Sequence, residues 1–166
     1  MRMSKCRVCQ RDLRTQESVD RGVGPTCAKH LPHIDMTAIR DTKVRYWIQE
    51  SYEDISTAYF LMKGNKKLES AFFAHLASEK AVKSLVTQNT QSIPQKIHDL
   101  IGLSQQAQLS LSVEQQDLLS MLNGYEIEER YPVERQKILS RTTDAQFGEI
   151  LEKASEFIQW CTQQIK

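Results

Sequence analysis

Cys6, Cys9, Cys27 and His30 are the residues whose types and spacing most directly imply chemistry. Two cysteines separated by two residues can reach one ion from a tight turn. A second pair, Cys27-x2-His30, completes the tetrahedral set that zinc accepts. A closed four-ligand set has no open coordination position, so it implies a structural Zn2+ rather than a reaction. His33 lies one short turn beyond His30 and is the alternative fourth ligand. Gly22 and Gly24 stand just before Cys27, in a turn whose amides can approach a thiolate sulfur. About thirty residues cannot bury enough apolar surface to fold alone, and the ion would take the place of that core. The fourth cysteine, Cys161, falls on an apolar helix face and is read as core.

The helical part of the chain offers weaker signals: His75, Glu79, Lys80, Lys83, His98 and Arg130. Glu79 and Lys83 stand four apart in the favourable order for a solvated pair on a helix surface. His75 lies beside a stripe of small residues, where a satisfied structural histidine is the usual outcome, and His98 opens a helix that it can cap or orient.

The elements that must position these groups divide near residue 35. Gly22, Gly24, Pro25 and Pro32 crowd a stretch that cannot be regular helix, which sets residues 1–35 apart as a knuckle. From Met36 onward the apolar pattern is helical. The spacing predicts a helix over Thr42–Lys63, stopped at Gly64-Asn65, and a second over Lys67–Gln88. The second carries Ala71, Ala74, Ala77, Ala81 and Leu85 in a small-residue stripe that lets another helix approach closely. A shorter helix follows over His98–Gln108, then one over Val113–Leu122 that Asn123-Gly124 would stop. Tyr125–Ser140 reads as a structured loop. A last helix begins near Asp144 and shows one face through Phe147, Ile150, Leu151, Ala154, Phe157, Ile158, Cys161 and Ile165. The fold class is mainly α: an up-and-down bundle over residues 40–166 preceded by the knuckle.

Charge and composition bound the function. The first thirty residues hold seven Lys or Arg against three acids, net +4; the other 136 hold fifteen against eighteen, net −3. Clustered cations suit a knuckle that touches nucleic acid, and they equally suit a small solvated module. No stretch reaches the roughly 18 apolar residues of a membrane span, and the start, Met-Arg-Met-Ser-Lys-Cys, has no apolar core of signal type, so a cytoplasmic protein with no membrane partner is expected.

Two resemblances add to this reading. The segment Cys6 to His30 resembles short uncharacterised bacterial and phage zinc-binding domains through its C-x2-C, Ser18, the turn Arg21-Gly22-Val23-Gly24-Pro25 and Cys27. That family usually has Gly where this chain has Gln10. The helical part resembles the HEPN domain, through Ala77-Ser78-Glu79-Lys80-Ala81-Val82-Lys83, through Ile93 to Leu103 with its Pro, His and Asp-Leu, and through Leu122 to Pro132 with Tyr125 and Arg130-Tyr131-Pro132. This resemblance implies five helices, commonly a homodimer, and a place in prokaryotic toxin-antitoxin or defence systems. Many HEPN proteins are metal-independent ribonucleases with an Arg-x4-6-His signature, in which a cation steadies phosphate charge while imidazole moves a proton. Here no Arg stands five to seven positions before any of the four histidines.

The missing signature favours a binding protein for RNA or a nucleotide, as implied by HEPN members that accompany nucleotidyltransferase-type partners. Arg130, Tyr131, Lys80 and Lys83 are then the binding candidates. The enzyme alternative is a rewired ribonuclease in which Arg130 and His98 meet across the bundle or the dimer interface. A third reading is a scaffold whose two modules bind only protein. In each case the knuckle is a recognition appendage and any activity resides in the helices.

Overall fold

The computed structural model describes residues 4–128 and 131–166, the side chains of Ile127 and Glu128 excepted. Two short helices, α1 (Gln16–Arg21) and α2 (Pro25–Ala28), belong to the knuckle. Six more form the bundle: α3 (Thr42–Lys63), α4 (Lys67–Thr90), α5 (Leu100–Gln106), α6 (Val113–Glu128), α7 (Pro132–Arg141) and α8 (Asp144–Gln163). No described helix is long and apolar enough to cross a membrane.

Local chemistry sets most helix ends. The Asp41 carboxylate accepts from the amides of Lys43 and Val44 at the start of α3, and Gly64 and Asn65 close its far end. Asp99 caps α5 in the same way, and Thr143 with Gln146 forms a capping box on α8. The small-residue stripe works as expected. Ala71, Ala74, Ala77 and Ala81 are fully buried, and α3 comes close enough for hydroxyl bonds across the seam, from Ser51 to the Ala77 carbonyl at 2.7 Å and from Ser70 to the Ala58 carbonyl at 2.8 Å.

Three sequence expectations fail. Asn123-Gly124 does not stop α6. The Asn123 side chain bridges to α5 instead, accepting from the Leu100 amide at 3.0 Å and donating to Asp99 at 2.7 Å, while Tyr125 packs its ring against Phe147. These tertiary bonds outweigh the local stop signal. Nor is Tyr125–Ser140 a loop, because Pro132 starts α7 from a position where its missing N–H costs nothing, and Ile138 is buried. His98 also precedes α5 rather than opening it.

The knuckle packs on the bundle. Cys6, Val8, Leu13, Val23, Cys27 and Leu31 join the same buried cluster as the cores of α3, α4, α5, α6 and α8. Arg7 fastens the two parts: its guanidinium lies 5.4 Å from the Tyr52 ring centre, pairs with Glu53 and donates to the Arg21 carbonyl at 3.0 Å. Gly22, at φ 69°, lets that guanidinium through, since a Cβ there would lie 2.9 Å from the Arg7 Nε.

Candidate metal centre and bundle site

The Cys6–Cys9 turn is closed by the Cys6 amide on the Arg11 carbonyl at 2.8 Å and the Gln10 amide on the Cys6 carbonyl at 2.9 Å. Gln10 sits at φ 58°, in the left-handed region, and this accounts for glycine being the usual residue at that place. α2 brings in Cys27, and the three sulfurs lie within 4.8 Å of one another. Thiolates at about 2.3 Å from a tetrahedral ion stand at a similar mutual spacing, so the cluster can hold a thiophilic metal. The Gly24 amide points at the Cys6 Sγ from 3.5 Å, the approach expected of this turn.

The sulfurs differ electrostatically. Burial resists ionisation of Cys6, but amides of Gly24, Cys9 and Val8 outweigh it and bring the thiol down to about 7. Burial raises the Cys27 thiol, against the pull of the Lys63 ammonium, which stands 3.2 Å from its sulfur at the last turn of α3.

The structure does not bring His30 to this group. Its Nδ1 faces the Glu152 carboxylate on α8 at 2.8 Å, its ring lies 6.0 Å from that of Tyr59, and its carbonyl accepts from Ser155. The His33 amide donates to Gln159, also on α8. Both histidines therefore tie the end of the knuckle to the last helix.

In the bundle, Ala71, His75, Glu79 and Lys83 follow one another at four-residue steps along α4 and share a face. Glu79 and Lys83 are not the solvated pair that their spacing suggested: they are 5% and 6% exposed. The Lys83 ammonium donates to one Glu79 oxygen at 2.6 Å and lies 5.6 Å from the Trp47 ring centre. The other Glu79 oxygen accepts from Nδ1 of His98 at 3.0 Å, while 61% of the His98 side chain remains exposed. The His75 Nε2–H donates to the His98 carbonyl at 3.0 Å, which fixes the backbone beneath the ring. Burial lowers the His75 pKa, partly opposed by Glu79, and its Nδ1 is buried without a hydrogen-bond partner.

A buried carboxylate that takes Nδ1–H fixes the imidazole tautomer and leaves Nε2 for a ligand or proton. The charges of Glu79 and Lys83 cancel, so this pair alone is no strong anion clamp. Lys80 is committed elsewhere, to Asp54 at 2.7 Å and Glu50 at 3.3 Å on α3. Tyr131 is exposed at the N-cap of α7, and Arg130 lies outside the described residues. The structure thus joins two of the sequence candidates, His98 and Lys83, through Glu79. Sequence reasoning missed Glu79 as the hinge of the group and missed Trp47 as its wall. The four-residue row of polar side chains on an otherwise buried helix was the available signal.

No curated protein and no solved structure matches the chain. A family of unknown function, DUF6011, matches residues 2–32, the segment that carries the three cysteines. The model of the HEPN domain matches residues 44–165, from the first turn of α3 to just past α8. Nearly three quarters of the chain is covered by that match, and the chain belongs to the HEPN domain family.

Proposed function

We propose that this HEPN protein is a nucleic-acid- or nucleotide-binding component of a prokaryotic defence or toxin-antitoxin module. The observation that carries the reading is the His98 imidazole, presented to solvent on a buried Glu79–Lys83 pair in a HEPN bundle that lacks the Arg-x4-6-His signature. An exposed imidazole whose Nδ1 is held by Glu79 and whose Nε2 is left for a ligand suits recognition of a base edge. A homodimer and a nucleotidyltransferase-type partner protein belong to the same proposal, on the strength of the family resemblance.

Zinc is the ion proposed for the thiolate cluster, in a structural role. Cys6, Cys9 and Cys27 would hold it. The fourth position falls to His30 once it leaves Glu152, and otherwise to water. The test of function is retention of labelled single-stranded RNA by the purified full chain across a salt series, with intact RNA recovered afterwards. Retention that weakens in His98→Ala supports the reading. A flat salt response and no retention, with or without the protein encoded beside it, would overturn it in favour of a protein-binding scaffold.

The Glu79–His98 pairing also favours a second reading, a metal-independent endoribonuclease in which His98 is the general base. Cleavage by the pure protein that disappears in His98→Ala and in Arg130→Ala would establish it.

A further inference from the structure

Trp47 borders two features. One is Lys83 with its carboxylate; the other is a groove of about 290 Å³ between the first turns of α3 and the segment after α4, which Trp47 also lines. Its walls are almost entirely apolar, built from Tyr46, Trp47, Ile93 and Pro94. Tyr46 is 57% exposed and Ile93 80%, which is unusual for side chains of this size with no partner. The Tyr46 and Trp47 rings stand steeply to one another, at 68° with centroids 5.5 Å apart.

Thr42, Lys43 and Thr87 also line a second groove, of about 350 Å³, whose other walls include Arg40, Asp41 and Gln91. Its charge is lopsided. The Asp41 carboxylate is held by the amides of Lys43 and Val44, and among the described residues neither Arg40 nor Lys43 has an ion-pair partner, so the groove carries two cations against one anion. An aromatic plate with an adjoining pair of uncommitted cations is the arrangement that single-stranded nucleic acid requires, the plate for a base and the cations for the next phosphate. An apolar protein partner would fill the first groove and leave Arg40 and Lys43 unanswered.

We propose that this shelf takes an unpaired base of single-stranded RNA, stacked on Tyr46, with the adjoining phosphate at Lys43 and Arg40. The strand would then pass Trp47 toward His98. The inference rests on the nucleic-acid reading above and assigns it a binding surface on α3 that is separate from the Glu79–Lys83–His98 group.

Fluorescence anisotropy of a labelled 12-nucleotide single-stranded RNA, measured on the full chain, tests it. Tyr46→Ala should weaken binding roughly 5- to 100-fold, the usual effect of losing one stacking platform. Lys43→Glu should weaken it too and lower the salt slope by about one. A blunt RNA duplex of the same sequence should bind more weakly than the single strand. Both substituted residues are exposed, and unchanged melting of the variants confirms that folding is not the cause. If the wild type binds RNA and both variants bind equally well, the shelf is refuted while the nucleic-acid reading stands; if the wild type binds no RNA, both fall. If Tyr46→Ala turns a dimer into a monomer by light scattering without changing RNA affinity, the occupant is a second copy of the chain and the proposal is overturned.

Discussion

Replacing Lys83 with Met keeps most of the side-chain volume and removes the ammonium. Glu79 would then remain 5% exposed with only His98 on its second oxygen, because its first oxygen loses a 2.6 Å partner. Breaking a buried ion pair from one side costs about 3–5 kcal/mol, since the surviving charge stays desolvated. For a chain of this size, that lowers the melting temperature by roughly 6–20 °C. Loss of the ammonium over Trp47 acts in the same direction, by about 0.5–2 kcal/mol at most. Glu79→Met together with Lys83→Met removes both charges, and apolar replacement of a whole buried pair is commonly neutral or stabilising. The double variant should therefore lie within about 2 kcal/mol of the wild type, and the two single losses should fail to add. Urea denaturation followed by helical circular dichroism measures all four proteins. The pairing argument is refuted if Lys83→Met costs less than about 1 kcal/mol with an unchanged m-value, or if the double variant equals the sum of the singles.

In a metal titration, Cys9→Ser should lower affinity well beyond the roughly 10–100-fold typical of losing a group that only orients a ligand; an equal collapse in His30→Ala would put His30 in the fourth position, and a loss inside that range would leave the position to water. His75 is held neutral by burial, so the unfolded chain binds its proton more readily. Its contribution is complete above the ordinary value of 6.5 and is lost as pH falls below it, and His75→Asn should flatten that acid limb in melting curves recorded from pH 7 to 5. Ala74→Leu would force a larger side chain into the α3–α4 seam, where Ala74 is fully buried, and should cost about 1–3 kcal/mol in urea titrations. Chelation of the ion should lower the melting temperature of the whole chain, because the knuckle shares the core of the bundle; a bundle transition unmoved by chelator would separate the two.

The parts of this molecule that were readable from sequence are those in which local chemistry and packing agree. Asp41, Gly64 and the alanines of α4 state their roles in their own types, and the helices over Thr42–Lys63 and from Asp144 follow accordingly. Asn123 misled because its amide has two uses. It can end a helix, but here it also supplies the bond to Asp99 and Leu100 that holds α5 against α6, and only the fold decides between them. Glu79 misled for a similar reason. A Glu and a Lys four apart are identical on a surface and in a core, and what buries this pair is Trp47, 36 positions before Lys83, together with the turn that carries His98. The C-x2-C and Cys27 were legible as a cluster because their spacing is itself the geometry. The place of His30 was not, since its partner, Glu152, lies 122 residues away.

That partner changes what the knuckle is. Read from sequence, it is an appendage whose folding depends on its ion alone. In the fold, each of its ends is held by the bundle: Arg7 on Tyr52 and Glu53, Cys27 on Lys63, and His30 on Glu152. Two of these three attachments fall on α3. The same helix carries Tyr46 and Trp47 near its start and Glu50 and Asp54, the partners of Lys80, in its middle. The thiolate cluster and the His98 group therefore border one and the same helix, the cluster through Lys63 at its end and the group through Trp47 near its start.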